Sequence, residues 1–310
     1  MQARKSLISL VCLCALSNGA LAQQASSLDI TFNPGSGAAG AVLSVALATN
    51  GDVLIGGEFT SVNGQPRTYV ARLKPDGSLD SGFLPGQGPD SYVSSVATDP
   101  SGNLYIGGTF QNYSGIPRKF LARLRDDASL DLSWPNVVFD SDVSVIRPQQ
   151  DGRLMVLGDF THVNGMSRWN LARLNTDASM DASFNPALCV TDGAIYAFVV
   201  QPDGNVIIAG SFTTNSPVSR QYIARVSQSG ILDSTFNAGY ITVVYSGYYP
   251  VTALALQPDG KVIVSGSFTS INGYSRNGIA RLNTNGTVDT SFVLLSGISN
   301  PFGAAVTVHT

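Results

Sequence analysis

The chain has 310 residues and a formal net charge of −3, from 18 Lys and Arg residues against 21 Asp and Glu residues. It contains no basic run, which excludes nucleic acids and anionic membranes as favoured partners. Glu58 is its one glutamate, whereas Asp, Gly, Asn and Ser are abundant. This balance favours tight turns and short strands over helices.

Residues 1–22 have the pattern of a secretory signal peptide, in which Arg4 and Lys5 precede a short apolar run and a small-x-small cleavage site. We therefore predict a secreted, periplasmic or cell-surface protein with no membrane span after signal removal; a retained anchor is the alternative. Cleavage would leave Cys189 as a single cysteine, so no intramolecular disulfide is expected.

The remaining chain, residues 23–310, is predicted to be one domain built from repeats near 42–91, 92–141, 142–194, 195–250 and 251–300. In the first repeat, VLSVAL alternates as a half-buried strand does, and the turn TNGD favours an antiparallel return through DVLIGGEF. A Gly-containing loop then leads to TYVARL, and a turn leads to a short LDSGF. Each repeat is therefore predicted to be a four-stranded meander.

Repeated four-stranded units of about 50 residues without helices indicate an all-β fold, a β-propeller of four-stranded antiparallel blades. Five blades are favoured. A sixth, incomplete or split blade is the alternative, because a fourth-strand motif at residues 28–32 precedes the first repeat and a first-strand-like run at 304–310 follows the last. A parallel β-helix is the rival fold.

Three side chains recur once per repeat, and we interpret them as structural. The apolar plugs are Phe59, Phe110, Phe160, Phe212 and Phe268; the arginines are Arg72, Arg123, Arg173, Arg225 and Arg281; the aspartates are Asp80, Asp131, Asp181, Asp233 and Asp289. The Arg and Asp residues can pair within or between blades. The functional alternative is a ring of charges lining a ligand channel.

Residues 256–292, LQPDGKVIVSGSFTSINGYSRNGIARLNTNGTVDTSF, carry the clearest form of the repeat, and this segment resembles the delta-60 repeat family of bacterial β-propeller repeats. The resemblance extends from residue 28 to about residue 310. It implies a propeller in an exported or surface protein, and it implies no catalytic residues.

The sequence shows no catalytic, cofactor or metal motif. His162 and His309 are the two imidazoles, and neither stands in a nucleophile or zinc motif. The aspartates occur singly in turns, without the alternating ligands of a calcium loop. We therefore predict no cofactor, no metal and no enzyme activity.

The largest departure from the repeat is NAGYITVVYSGYYPV, residues 237–251, which holds Tyr240, Tyr245, Tyr248 and Tyr249. Clustered tyrosines favour contact with a protein or a glycan, and this loop is the predicted binding site; the alternative is that they pack against the fold. The predicted function is a non-enzymatic protein- or glycan-binding or scaffold module. The alternatives are a propeller hydrolase or lyase using Asp and Arg at the central channel, and a structural module of a larger surface array.

Overall fold

The structure is a computed structural model that describes residues 30–186, 190–214, 218–243 and 250–292. The described residues form strands and turns and contain no α-helix. The chain divides into two compact units, one running to Gly158 with Leu174–Ser179 added, the other containing Asp159–Arg173 and the residues from Met180 onward.

The first unit contains the first two repeats and the start of the third. Its strands are β1 (Val42–Leu47), β2 (Val53–Gly57), β3 (Ser61–Val62), β4 (Gln65–Pro66), β5 (Val70–Leu73), β6 (Val93–Thr98), β7 (Leu104–Gly108), β8 (Asn112–Tyr113), β9 (Ile116–Pro117), β10 (Leu121–Leu124), β11 (Val143–Pro148) and β12 (Leu154–Gly158).

The sheets of this unit are antiparallel, in the order β1-β2-β5 and β6-β7-β10, and β11 pairs with β12. Gly51, with φ of 87°, closes the β1–β2 hairpin by donating its N–H to the Ala48 carbonyl at 3.0 Å. A glycine tolerates this left-handed conformation without the penalty of a side chain. The predicted antiparallel return is therefore what the turn chemistry produces.

Two features of the predicted meander differ in the structure. The fourth strand shrinks to a single bridge, Leu73 to Leu79 in the first repeat, because Asp80 then accepts the Gly82 N–H and turns the chain. The Gly-containing loop, for which no strands were predicted, forms a small hairpin, β3–β4, whose turn residue Asn63 adopts φ of 50°.

The second unit contains the rest of the third repeat and the last two repeats. Its strands are β13 (His162–Val163), β14 (Met166–Ser167), β15 (Leu171–Leu174, which ends at the unit boundary), β16 (Val190–Asp192), β17 (Ile195–Val200), β18 (Val206–Thr214), β19 (Arg220–Val226), β20 (Ile241–Val243), β21 (Ala253–Leu256), β22 (Val262–Ser265), β23 (Phe268–Ile271), β24 (Tyr274–Ser275) and β25 (Ile279–Leu282).

The second unit repeats the same design. β18 lies between β17 and β19, β22 lies between β21 and β25, and a third sheet runs β20-β23-β24. Fully buried Val262, Phe268 and Ile271 belong to its apolar core, together with nearly buried Ile241. The core thus includes three residues of the tyrosine-rich segment 237–251, Ala238, Ile241 and Val251, which anchor that segment near both of its ends.

Candidate functional site

The recurrent arginine and aspartate form one ion pair in each repeat. The arginine lies on the third strand, and the aspartate lies eight residues later, beyond the following turn. The Arg Nε donates to Asp Oδ2 at 2.7 Å in Arg72–Asp80, Arg123–Asp131, Arg173–Asp181 and Arg225–Asp233, and at 2.8 Å in Arg281–Asp289. The recurrent pair therefore lies within each repeat, and Arg72 pairs in addition with Asp126 of the next repeat.

The second carboxylate oxygen of each aspartate accepts the backbone N–H two residues later, as Asp181 does from Ser183 at 2.9 Å. Burial alone would raise the pKa of Asp181, but the Ser183 hydroxyl and Arg173 outweigh it and lower the pKa to about 2. Asp181 is thus a carboxylate with both oxygens engaged, which suits a structural role better than proton transfer.

Each of these arginines also lies over an aromatic ring that follows the aspartate. The distances from the guanidinium carbon to the ring centre are 5.1 Å for Arg72–Phe83, 5.6 Å for Arg123–Trp134, 4.8 Å for Arg173–Phe184, 5.0 Å for Arg225–Phe236 and 5.0 Å for Arg281–Phe292. We call this unit of aspartate, arginine and aromatic residue the stack. A planar guanidinium suits both contacts at once, which a lysine would not.

The recurrent phenylalanines are fully buried: Phe59, Phe110, Phe160, Phe212 and Phe268 each have 0% exposed surface. They lie just beyond the second strand in the first three repeats, inside β18 in the fourth and at the start of β23 in the fifth. The predicted second strand of the first repeat, DVLIGGEF, ended at Phe59, whereas β2 ends two residues earlier, at Gly57.

The residue after the aromatic that ends a repeat, or after Phe32 ahead of the first repeat, bonds to the next repeat, a role that sequence reasoning missed. In the first unit, the N–H of Asn33 donates to the Asp76 carbonyl at 2.8 Å, and that of Leu84 donates to the Asp127 carbonyl at 3.1 Å. Asn185 and Asn237 make the same bond in the second unit. We call this bond the latch. Pro135 cannot form it, because proline has no N–H.

Tyr240 is the predicted binding residue that the structure describes, and its side chain is 82% exposed. Its carbonyl accepts the Asn272 N–H at 2.6 Å, and the next residue, Ile241, is buried opposite Ile271. The backbone that carries Tyr240 is therefore fixed to β23. Tyr245, Tyr248 and Tyr249 lie outside the described residues.

Polar groups continue the exposed side of this sheet. Thr242 pairs with Ser270, and Ser270 pairs with Ser275, so the three lie in one row across β20, β23 and β24. The Ser270 hydroxyl donates to the Thr242 hydroxyl at 2.9 Å. Because side chains alternate along a strand, Tyr240 projects on the same side as Thr242. We call Tyr240, Thr242, Ser270 and Ser275 the tyrosine face.

Tyr274 is a second exposed tyrosine near this sheet, which sequence reasoning did not single out. It pairs with Ile271 in the ladder and is 46% exposed, so it belongs to the opposite side of the sheet from Tyr240. The tyrosine face offers a phenol ring and three aliphatic hydroxyls, and its four residues include no carboxylate or imidazole. Its chemistry is noncovalent recognition by stacking and hydrogen bonding.

The other predicted chemical groups lie apart. His162 is exposed on β13 with its Nδ1 2.9 Å from the Thr161 hydroxyl, and His309 lies outside the described residues, as do Cys189 and the leader. Within the described part of the chain, no group of three His, Cys, Asp or Glu residues could hold a metal ion. Nor does that part contain a helix long and apolar enough to cross a membrane.

Three solved structures illustrate the similarity of this chain to known folds. A protein of unknown function from Bacteroides caccae is 12% identical, with 86% of each chain covered and a TM-score of 0.42. A virginiamycin B lyase from Staphylococcus aureus is 17% identical, over 83% of this chain and 71% of that one, with a TM-score of 0.46. A gluconolactonase from Xanthomonas campestris is 12% identical, over 81% of this chain and 76% of that one, with a TM-score of 0.46.

The sequence matches no curated protein. Residues 239–273 match the WD domain, G-beta repeat model. A further family model, of β-propeller repeats, matches five segments, residues 49–83, 100–133, 149–184, 201–236 and 257–292, which correspond to the five predicted repeats. The predicted all-β propeller with five repeats is thereby confirmed. The chain belongs to the family described as a domain of unknown function (DUF5122) beta-propeller.

Proposed function

We propose that this chain is an exported, non-enzymatic binding module whose tyrosine face recognises a glycan or a protein surface. The observation that carries the proposal is Tyr240, an 82% exposed aromatic ring on a backbone fixed to β23. Because the backbone is already fixed, binding has to order only the side-chain torsions of Tyr240, which favours affinity. The row of hydroxyls beside it favours a glycan, since a sugar presents apolar C–H groups next to hydroxyls.

Two further points support this function over a hydrolase or lyase. In all five stacks the arginine and the aspartate already bind each other. A catalytic residue is normally needed once, whereas these recur in every repeat.

The export pattern at residues 1–22 and the resemblance to delta-60 repeats support a secreted, periplasmic or surface location. A module of a larger surface array stays an alternative of the same kind.

The test compares Tyr240→Ala with a matched control, Tyr274→Ala, which removes an exposed tyrosine from the opposite side of the same sheet. We expect wild type to bind at least one member of a glycan array of bacterial and host polysaccharides. Calorimetry on that hit should show at least tenfold weaker binding for Tyr240→Ala and unchanged binding for Tyr274→Ala. A variant that also replaces Tyr245, Tyr248 and Tyr249 tests the whole loop.

Equal affinity of wild type and the four-tyrosine variant would reject the site. Equal loss in Tyr240→Ala and Tyr274→Ala would show a general effect on the sheet rather than a contact with the ligand. If the array shows no hit but a pull-down from the native host yields a partner that requires Tyr240, the ligand is a protein.

A further inference from the structure

The tyrosine face has equivalents in the first two repeats, and they show which of its groups the fold requires. In each repeat the hairpin tip donates its backbone N–H to a carbonyl of the segment before the first strand: Asn63 to Gly37 at 2.9 Å, Ser114 to Gly88 at 2.6 Å and Asn272 to Tyr240 at 2.6 Å. Tyr240 therefore stands where two other repeats have a glycine. Since the same bond forms at a glycine, the fold does not require the Tyr240 ring.

The sheet that carries Tyr240 is also wider than its equivalents. In the first two repeats, the segment before the first strand pairs with the small hairpin through single bridges, Ala38–Val62 and Pro89–Tyr113. In the fifth repeat, β20 pairs with β23 at three residues and completes a three-stranded sheet with β24. The fifth repeat thus presents an ordered surface that the first two repeats lack.

Thr242 has no hydroxyl-bearing equivalent in the first two repeats. The Ala39 N–H donates to the Ser61 carbonyl and the Asp90 N–H donates to the Asn112 carbonyl, which places Ala39 and Asp90 at this position. Alanine offers no polar side chain. The Asp90 carboxylate is engaged within its own repeat, because it accepts the Asn112 Nδ2 at 2.7 Å and two backbone N–H groups. The exposed, uncharged hydroxyl of Thr242 therefore departs from both.

Ser275 departs from the repeat in the same way. Its position in the hairpin, opposite Ser270, is occupied by Pro66 in the first repeat and Pro117 in the second, which have no side-chain donor. Thr242 accepts from Ser270 at 2.9 Å, and a hydroxyl that accepts one hydrogen bond can still donate another. Among the described residues, no side-chain hydrogen bond involves the Ser275 hydroxyl. The row therefore offers both donors and acceptors to a ligand.

The row of hydroxyls contains no charged side chain. Arg276 follows Ser275, but side chains alternate along a strand, so Arg276 belongs to the side of Tyr274, and its Nη1 donates to the Ser275 carbonyl at 2.8 Å. The hydroxyls of a neutral sugar donate and accept, as the row does. A carboxylate would lose water here without meeting a cation on this face.

The groups of the tyrosine face are spread over more than one sugar ring. Tyr240 and Thr242 are two residues apart along β20, which corresponds to about 7 Å. Thr242 and Ser275 are separated by two strand spacings, which correspond to about 10 Å. A ligand must therefore be a chain of sugars to contact both the ring of Tyr240 and the far end of the row.

We infer that the tyrosine face binds a neutral oligosaccharide. One sugar ring stacks on Tyr240, and the following sugars exchange hydrogen bonds with the hydroxyls of Thr242, Ser270 and Ser275. This rests on the proposed function and narrows its ligand from a glycan or a protein to an uncharged glycan chain. The net charge of −3 also disfavours an acidic chain.

The experiment measures binding to the full chain by calorimetry, with glucose and a set of tetrasaccharides. Cellotetraose, xylotetraose and mannotetraose are neutral, whereas tetragalacturonic acid carries carboxylates. Thr242→Val removes one hydroxyl and keeps a β-branched side chain, and Ser270→Ala removes the next hydroxyl. Ser61→Ala is the matched control for Ser270→Ala, since Ser61 pairs with Pro66 at the equivalent position of the first repeat. Tyr240→Ala tests the ring.

We expect at least one neutral tetrasaccharide to bind with a Kd below about 10 mM, glucose to bind at least tenfold more weakly, and tetragalacturonic acid not to saturate. Thr242→Val and Ser270→Ala should each weaken binding about three- to tenfold through the loss of a hydrogen bond, and Ser61→Ala should bind as wild type does. Because no charge takes part, the Kd should change less than about twofold between about 50 and about 500 mM salt.

Two results would overturn the neutral ligand and leave the proposed function in place. They are Tyr240-dependent binding of tetragalacturonic acid alone, and binding of a neutral tetrasaccharide that both hydroxyl variants retain in full. The absence of neutral tetrasaccharide binding below about 10 mM also overturns it. Binding that Tyr240→Ala retains in full would overturn both. If a hydroxyl variant does not fold, the Thr242 methyl resonance of wild type decides: it should shift with the calorimetric Kd, and a resonance that stays unchanged contradicts the inference.

Discussion

The first and second repeats have the same backbone arrangement but differ in the side chains that pack within it. In both, the first strand carries a bulge at the same place, between Val42 and Ser44 and between Val93 and Ser95. Both have a stack, and both receive a latch from the segment before them. The shared features are those that hold a repeat together, and the differences show which positions tolerate other chemistry.

The second repeat contains a buried polar network that the first repeat lacks. Where the first repeat has Leu54, the second has Tyr105, whose hydroxyl donates to Asp99 at 3.1 Å. The Tyr105 ring meets Trp134 edge to face at 5.8 Å, and Trp134 in turn lies under Arg123. The same sheet therefore accepts an apolar or a polar centre, provided that every polar group has a partner.

The turn before the aspartate also differs. Gly77 has φ of 85°, and a side chain there would meet the backbone of Asn33 at 2.7 Å. Its equivalent Ala128 adopts φ of 71° with its methyl group fully buried, next to a latch formed by Leu84 instead of an asparagine. The repeat thus has two solutions at the latch. In the first repeat a glycine lets the neighbouring backbone come close, and in the second an alanine buries its methyl group but has to adopt a left-handed conformation, which is unfavourable.

The largest expected effect comes from the stack arginines. Arg72→Ala should lower the free energy of unfolding by about 3–4 kcal/mol, because it strands buried Asp80 and leaves Asp52 close by. Arg123→Ala should cost less, about 2–3 kcal/mol, since Asp131 keeps a second donor in the Ser133 hydroxyl at 2.6 Å, whereas Asp80 has only the Gly82 N–H. Urea unfolding monitored by fluorescence measures both.

Arg153→Ala is the matched control for the arginine pair, because the Arg153–Asp151 pair is about half exposed and thus far more open to solvent than Arg72–Asp80. It should change the unfolding free energy by less than about 0.5 kcal/mol. If Arg72→Ala unfolds at the same urea concentration as this control, the stacks contribute little to stability and their recurrence needs another cause.

Exchanging glycine and alanine at this turn should have a smaller effect than Arg72→Ala, and an unequal effect in the two repeats. Gly77→Ala forces a methyl group against the Asn33 backbone in a left-handed conformation, and should cost about 2–3 kcal/mol. Ala128→Gly loses a buried methyl group but relieves the left-handed strain, so the net change should stay within about 1 kcal/mol. Thermal melts of the two variants and wild type measure the difference; equal shifts would contradict the two-solution interpretation.

The fold could be predicted from sequence because its determinants are local and repeated. Asn-Gly and Asp-Gly turns, alternating apolar strands and fivefold recurrence indicated antiparallel repeats, and the family match confirmed the propeller. The fourth strand was overestimated, since the same Asp80 that marks it also closes a turn that ends pairing after Leu79. The segment around Asp80 is compatible both with a strand and with a turn, and the sequence alone did not show which of the two forms.

The candidate site was less predictable. Departure from the repeat selected Tyr240, but exposure depends on which residues of β20 pair with β23, and this register is set by tertiary contacts. The latch was missed because a backbone N–H leaves no mark in the sequence except where Pro135 removes it.

The remaining prediction concerns the polar network that distinguishes the second repeat, and its expected cost is smaller than those of Arg72→Ala, Arg123→Ala and Gly77→Ala. Burial, and next the charge of Asp99, raise the pKa of Tyr105 to about 12. Tyr105→Phe removes the bond to Asp99 and should cost about 1–2 kcal/mol at neutral pH. Leu54→Met, the conservative change at the equivalent position, should cost less than about 1.5 kcal/mol.

The stability at alkaline pH distinguishes the contribution of the polar network from that of packing alone. A tyrosine with a raised folded-state pKa contributes stability that is fully present below its unfolded pKa of about 10 and is lost as the pH rises through about 12. Wild type should therefore lose stability more steeply between these values than Tyr105→Phe, and the two unfolding free energies should converge. In an absorbance titration of tyrosinate, the variant should lack one late-ionising group. Parallel stability curves up to pH 12 would mean that the Tyr105 hydroxyl is accessible to solvent, and the second repeat would then differ from the first in packing alone.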